Sequence, residues 1–330
     1  MNRIKTIAKW TAIVVLVLLL MAAVVPFLIP VSPLTNLQVV QAAASPQSKF
    51  VTIPFAGTDG LDIHYLTDEA QGGDESTFVL LHGSNFNAFT WTEVFDFFDA
   101  QGRVIAYDQI PYGLSEKLVA GDWSGANPYS GEAAVTQLFS LLDTLGVDSA
   151  ILVANSYGAV LAVEAAAASP ERVDGLILAD AAVYVQESLP AWFMNLPQMQ
   201  RLGLPFARMI GGSESFVHQT YLDPTAITDE RMRLTMIHTE VIDWDEAMWA
   251  YLQEWGTTPL NVTGKLSAIS QPSLVITGDS DAVIPPADSE RLANTLLNAE
   301  YAVLPSCGHV PQEECPELFE EVVEAWLAKR

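Results

Sequence analysis

Cysteine is nearly missing from this chain: there are two in 330 residues, Cys307 and Cys315. That is too few for a disulfide framework, although outside the cytoplasm the two could pair. Basic residues are scarce as well, 15 Lys and Arg against 40 Asp and Glu, for a net charge of −25. Three of the bases, Arg3, Lys5 and Lys9, lie before position 35 and all 40 acidic residues lie after it, so the remainder sets 12 bases against 40 acids, about −28. Such a surface repels nucleic-acid phosphates and anionic lipid, which excludes a nucleic-acid partner. Also missing are a phosphate-cradling glycine loop, a dinucleotide fingerprint and any cluster with metal-ligand spacing. No cofactor and no metal are expected.

Charge is absent from residues 10–29, and here the absence is a signal. About 20 apolar residues match a membrane-spanning helix. The basic residues before the run should stay in the cytoplasm and place the rest of the chain outside. A cleaved signal peptide is the competing reading, because Ala42-Ala43-Ala44 offers small residues. That site lies well beyond the run, however, and the run exceeds the ~7–15 residues of a signal core. Without a cysteine just after the run, a lipid anchor is not expected. Pro26 and Pro30 should end or kink the helix. The expected division is a basic tail at 1–9, an anchor at 10–30 and a Ser, Pro, Gln and Ala-rich linker at 31–48.

Beyond 48 the pattern alternates between strands and helices. Residues 50–55 and 61–66 alternate around Gly57-Thr58-Asp59-Gly60 and read as a hairpin. Apolar runs at 77–81, 103–107, 151–153, 173–178, 273–276 and 301–304 read as buried strands. Helical patterns occupy 89–100, 132–145, 157–168, 288–297 and 316–329. This order implies a mostly parallel sheet with helices on both faces, whose sites form at the carboxyl ends of strands.

The chain is organised around one such end. At 151–160 an apolar strand stops at Ala154-Asn155 and a helix of small residues begins at once, with Ser156 at the hinge. A serine on so sharp a turn presents its hydroxyl above the sheet edge, provided its neighbours two positions away are small. Here they are Ala154 and Gly158. A plain helix N-cap is the alternative for a lone serine. Three further strand ends argue for chemistry: His82-Gly83-Ser84 after 77–81, Gly278-Asp279-Ser280-Asp281 after 273–276, and Cys307-Gly308-His309 after 301–304. Ser, then Asp, then His is the order of one class of nucleophilic hydrolases.

With Leu81-His82-Gly83-Ser84, Asp108-Gln109-Ile110-Pro111-Tyr112-Gly113-Leu114-Ser115, Asn155-Ser156-Tyr157-Gly158, Gly278-Asp279-Ser280-Asp281 and Cys307-Gly308-His309, the chain resembles the α/β-hydrolase superfamily across 50–330. The match is closest to its capped branch of esterases, carbon–carbon bond hydrolases and haloperoxidase-like proteins. Ala154 and Ala159 replace two common glycines and add little bulk. Serine at 156 argues against the relatives that use an aspartate nucleophile. The resemblance implies Ser156 as nucleophile, His309 as base and Asp281 as the acid that orients it, with Asp279 and Asp180 as rivals for that last role. It implies the backbone N–H groups of Ser84 and Tyr157 as the oxyanion hole. His82 and Asp108 should be structural, the first orienting the oxyanion loop and the second supporting a turn with Gly113.

The implied fold is an α/β-hydrolase core at 49–181 and 270–330 with a helical cap at 182–269. Trp192, Phe193, Met194, Phe206, Met209, Phe216, Trp244, Met248, Trp249 and Trp255 should form the cap's core, some of them lining an apolar pocket above Ser156. Arg201, Arg208, Arg231 and Arg233 could hold a substrate carboxylate, although solvated surface suits each better. Asn155 fits both carbon–carbon hydrolases and esterases. The implied activity is hydrolysis of small, apolar, ester-like compounds through an acyl-enzyme, by a membrane-anchored protein with its catalytic domain outside the cytoplasm. Alternatives are carbon–carbon bond hydrolysis, perhydrolysis, a slow ligand sensor that kept the triad, and secretion after cleavage.

Overall fold

The computed structural model describes residues 2–68, 76–184 and 188–330. The apolar runs become eight strands: β1 (Lys49–Ile53), β2 (Leu61–Leu66), β3 (Thr77–Leu81), β4 (Arg103–Tyr107), β5 (Ala150–Asn155), β6 (Val173–Ala179), β7 (Ser273–Gly278) and β8 (Ala299–Leu304). They form one sheet in the order β1-β2-β4-β3-β5-β6-β7-β8. The β1–β2 and β2–β4 pairs are antiparallel, and all the others are parallel. The hairpin expected at 50–66 is therefore present, its turn carried by Gly57 and Gly60 at φ +92° and +111°.

Strands covered on both faces need apolar side chains at every position. In β5 and β7 all six residues are buried. Alternate residues then enter different cores. Leu152, Ala154, Leu176, Leu178 and Val275 pack with α4 (Gly131–Thr144) and α5 (Tyr157–Ala168). Ile151, Val153, Ile177, Leu274 and Ile276 pack with α3 (Phe95–Asp99) and α13 (Pro316–Leu327), through Phe98, Phe319, Val323 and Trp326.

The N-terminal run is helix α1 (Asn2–Leu28), whose stretch Lys5–Leu28 is long and apolar enough to cross a membrane. Residues 31–48 do more than link. A short helix, α2 (Val40–Ala43), sits where Val40, Ala43 and Ala44 pack beside Phe50, and Gln38 bridges to Val241 in the cap. The helix expected at 89–100 is divided into a 3-10 turn, Ala88–Trp91, and α3. Asn87 caps the first piece: its side chain accepts from the Phe89 N–H, and its carbonyl accepts from the Thr90 N–H.

Between β6 and β7, in the stretch expected to form a cap, lie the helices α6 (Ala191–Met194), α7 (Pro197–Gly211), α8 (Glu214–Thr220), α9 (Asp229–Thr235) and α10 (Trp244–Thr257). The close approach of α7 to α10 is set by Gly203, where a Cβ would lie 2.3 Å from the Trp249 ring. After β7 come α11 (Pro286–Thr295) and, following β8, α12 (Pro311–Glu314).

Candidate active site

The end of β5 is the most strained backbone of the site. Ser156 has φ +54° and ψ −118°, a region that side-chain-bearing residues avoid. The surroundings hold it there: the Ser156 N–H donates to the Ala179 carbonyl at 3.0 Å, and the Ser156 carbonyl accepts from the Ala182 N–H at 3.1 Å. The elbow tolerates no added bulk nearby. A Cβ on Gly158 would lie 2.4 Å from the Leu81 carbonyl oxygen, and one on Gly83 would lie 2.9 Å from the Ser156 Cβ. The His82-Gly83-Ser84 loop is thereby packed directly against the serine. Tyr157 contributes the first N–H of α5, which has no intrahelical acceptor and lies at the positive end of the helix dipole.

His309 and Asp281 meet beside this elbow. His309 Nδ1 lies 2.8 Å from Asp281 Oδ2, and both side chains are buried. The other oxygen, Asp281 Oδ1, accepts from the N–H groups of Val283 at 2.7 Å and Ile284 at 3.0 Å. Three polar contacts thus fix the Asp281 carboxyl in place. The loop carrying His309 is fixed from two sides. The His309 N–H donates to the Thr220 carbonyl at 2.7 Å, and the His309 carbonyl accepts from Asn155 Nδ2 at 2.9 Å. Asn155 thus couples the residue before the serine to the histidine loop, a long-range contact that no local pattern shows. Cys307 and Cys315 are joined in a disulfide, which closes the same loop.

The two rival carboxylates have other surroundings. Asp279 ties its own turn together: its Oδ1 accepts from the Ser306 N–H at 2.9 Å and the Ser280 hydroxyl at 2.7 Å. Asp180 is buried, and its Oδ1 accepts from Thr277 Oγ1 at 2.8 Å and the Gly278 N–H at 3.1 Å. Its Oδ2 has no partner. The ligand atoms of Asp180, Asp281 and His309 lie within 4.8 Å of one another. Burial, and then the charge of Asp281, push the Asp180 carboxyl well above the usual carboxylate range. A neutral acid beside Asp281 avoids pairing two buried negative charges.

His82 and Asp108 form a separate scaffold. His82 Nε2 accepts from the Gln109 N–H at 2.9 Å while Nδ1 donates to the Gly83 carbonyl at 2.8 Å, so both ring nitrogens are occupied. Desolvation lowers its pKa. Asp108 accepts from the N–H groups of Ala88 and Leu114 and meets His64 Nδ1 at 2.7 Å. Burial pushes its pKa up, and the opposing effect of His64 holds it below the usual value. Gly113, at φ +51°, leaves room for this carboxylate: a Cβ there would lie 1.9 Å from Asp108 Oδ2. The sequence motifs do not mark His64 or the wholly buried Lys117, whose ammonium donates to the carbonyls of Tyr112, Gly113 and Ser115.

Of the expected cap residues, Met194, Trp244, Met248 and Trp249 are buried in its core, whereas Trp192 and Met209 are exposed. Beside Tyr157 a cavity of about 20 Å³ is lined by Tyr112, Tyr129, Tyr251 and Ile110. The four cap arginines are all engaged elsewhere. Arg201 donates to the Ile29 carbonyl at 2.8 Å, and Arg208 pairs with Asp245 at 2.8 Å. Arg231 pairs with Glu93 and Glu313, and Arg233 pairs with Glu230. Arg231 and Arg208 are thus parts of buried or half-buried networks rather than solvated surface.

Known proteins place this arrangement. The chain is 29% identical over 293 residues to a 2-hydroxy-6-oxononadienedioate/2-hydroxy-6-oxononatrienedioate hydrolase of Paraburkholderia phymatum, covering 86% of this chain and 96% of that one. It is 31% identical over 292 residues to the 2-hydroxymuconate semialdehyde hydrolase of Pseudomonas putida, covering 84% and 95%. Its fold matches a thermophilic esterase from Thermogutta terrifontis with a TM-score of 0.68 and 24% identity, over 85% of this chain and 98% of that structure. The description "Alpha/beta hydrolase family" matches residues 78–322, most of the chain, and the protein belongs to that family.

Proposed function

We propose that the chain is a serine hydrolase that cleaves neutral acyl compounds, carboxylic esters foremost, through an acyl-enzyme on Ser156. The observation that carries this reading is the strained Ser156 turn clamped through Asn155 to the loop of His309, which is itself paired with Asp281. A serine hydroxyl needs a base to become nucleophilic. His309 takes the Ser156 proton as Oγ attacks the carbonyl carbon, and Asp281 steadies the imidazolium. The N–H groups of Ser84 and Tyr157 receive the developing oxyanion. Collapse expels the alkoxide, which takes the proton from His309. Water, deprotonated by the same histidine, then releases the acid and restores Ser156. His82, held at both nitrogens, keeps the oxyanion loop in place.

The named relatives favour a second reading, cleavage of a carbon–carbon bond in an anionic dienoate. The charge inventory supports the neutral substrate instead. A buried substrate carboxylate requires a cation, and the cap arginines and Lys117 already serve carboxylates or backbone carbonyls of this chain. Full-length protein in detergent should be assayed in parallel on p-nitrophenyl esters and on a 2-hydroxy-6-oxo-dienoate. Ser156-dependent ester hydrolysis with at most weak dienoate cleavage is the expected result. Preference for the dienoate would install the carbon–carbon reading in its place.

The same proposal includes a single-pass anchor, α1, with the catalytic domain outside the cytoplasm. The basic residues at positions 3, 5 and 9 support that orientation, and the Cys307–Cys315 disulfide suits an oxidising compartment. Protease digestion of intact cells should remove the domain; a protected domain would refute the orientation.

A further inference from the structure

Around its axis, at 100° per residue, helix α7 presents a buried side, a side turned to the chain leaving α1 and, between them, exposed apolar residues. Gly203, Ala207 and Gly211 are buried, with Gly203 against Trp249 and Gly211 against Trp244 and Met248 of α10. Gln198, Arg201 and Arg208 grip the chain leaving α1. They donate to the carbonyls of Ala23 at 3.4 Å, Ile29 at 2.8 Å and Ser32 at 2.8 Å. The third face carries Phe206 and Met209, which are exposed, and just before α7 lie the exposed Leu189 and Trp192. These four exposed apolar side chains therefore adjoin the face that holds the apolar helix.

The order of these contacts gives a depth. Ala23, Ile29 and Ser32 meet α7 in the same order as Gln198, Arg201 and Arg208, so α7 runs alongside the exiting chain. Its first turn is level with Ala23, five residues inside the end of α1, or roughly 7 Å at 1.5 Å per residue. Helix α6, with Trp192 at 69% exposure, immediately precedes that turn. An exposed tryptophan at such a depth belongs in the headgroup region, where its ring is favoured.

We propose that the α6 and early α7 face of the cap beds into the outer-leaflet headgroup–acyl boundary, with Leu189 and Trp192 as the inserted residues. The inference rests on α1 spanning the membrane. The occupant is a zwitterionic lipid surface: the acidic body repels anionic headgroups, and the attachment is continuous with the anchor. The cap then rests on the bilayer. Because Asn85 of the oxyanion loop donates from Nδ2 to the Ile210 carbonyl of α7 at 3.4 Å, the docked helix also touches the site. Substrates dissolved in the bilayer, neutral acyl amphiphiles, are the class such a placement serves.

The test uses full-length protein in phosphatidylcholine vesicles. Both native cysteines are paired, so a single new cysteine takes up an environment-sensitive fluorophore alone. Labels at Leu18→Cys, Trp192→Cys, Met209→Cys and Glu290→Cys would be read against lipids carrying a nitroxide either just below the headgroup or near the bilayer centre. The expected pattern is strong quenching at 18 by the central nitroxide and at 192 by the shallow one, weaker at 209 and none at 290. Quenching at 18 with 192 no better than 290 would overturn the docking and leave the anchor standing. No quenching at 18 would remove the anchor, and the inference with it. As a functional readout, L189S/W192S should lose hydrolysis of an ester dispersed in vesicles while keeping hydrolysis of a short soluble ester. Equal loss on both would also count against bilayer docking.

Discussion

Two buried Asp–His pairs lie among the described residues, and one of them adjoins the Ser156 elbow. His309–Asp281 and His64–Asp108 have nearly the same separation, 2.8 Å and 2.7 Å, and both are out of water. Their second nitrogens differ. His64 Nε2 is taken by the Ser48 hydroxyl at 2.8 Å, and Asp108 is saturated by the Ala88 and Leu114 N–H groups. That pair ties β2 and the segment before β1 to the turn after β4. His309 is held through Nδ1 and through its backbone, and its loop is fastened to the elbow by Asn155. An Asp–His contact is therefore not a catalytic signature by itself. Among the described residues no hydrogen bond takes His309 Nε2, and with the strained serine turn alongside that makes the difference.

That contrast can be broken most sharply at the serine. Ser156→Ala should lower kcat on a p-nitrophenyl ester by about 10⁶, the size seen when such a nucleophile is removed, with the thermal transition unmoved. Next comes Asp281→Asn, which should cost roughly 10⁴ in kcat because the imidazole loses its tautomer control. The matched change in the other pair should reverse the pattern. Asp108→Ala should destabilise by about 3–5 kcal/mol by stripping the partner from a buried group, read by urea unfolding, while the folded fraction keeps kcat within a few-fold. An activity collapse in folded Asp108→Ala would dissolve the distinction.

Another buried histidine sharpens it further. His238 has no carboxylate partner; its Nε2 donates to the Gly211 carbonyl at 2.8 Å, and Nδ1 is unpaired. Burial pushes its pKa down to about 4, with Lys117 adding to the shift. The folded form holds it neutral while the unfolded chain protonates near 6.5. Between those values the unfolded state binds the extra proton, so stability falls as pH drops from 6.5 to 4, by roughly 3 kcal/mol. His238→Gln should flatten that part of the pH–stability curve; an unchanged slope would show that another group is responsible. The smallest effect is expected for Cys307→Ser with Cys315→Ser. Opening so short a loop should cost about 2.5 kcal/mol, and kcat should fall too, because the disulfide braces the His309 loop.

The strands and the elbow are legible in the sequence because their signals are local. An apolar run read at 151–153 is β5, and Ser156, Asp281 and His309 each follow a strand by a few residues. The hairpin glycines carry their own conformational requirement. What sequence does not show is pairing at a distance. The His64 bonds to Ser48 and Asp108, the Asn155 clamp on His309 and the arginine grip on residues 29–32 join segments with no common pattern. The helix expected at 89–100 is instead a 3-10 turn capped by Asn87 followed by α3, a division that propensity does not weigh. Segment 31–48 has a linker's composition, yet it docks because Val40, Ala43 and Ala44 find apolar partners.

The claim on which the rest depends is that Ser156, set by its strained turn, forms the covalent intermediate. Incubating full-length protein with a fluorophosphonate probe and locating the adduct by peptide mass spectrometry tests it directly. One adduct per chain on the peptide containing Ser156, lost in Ser156→Ala, is the expected result. A folded protein that remains unlabelled, or that is labelled at another residue, would contradict it.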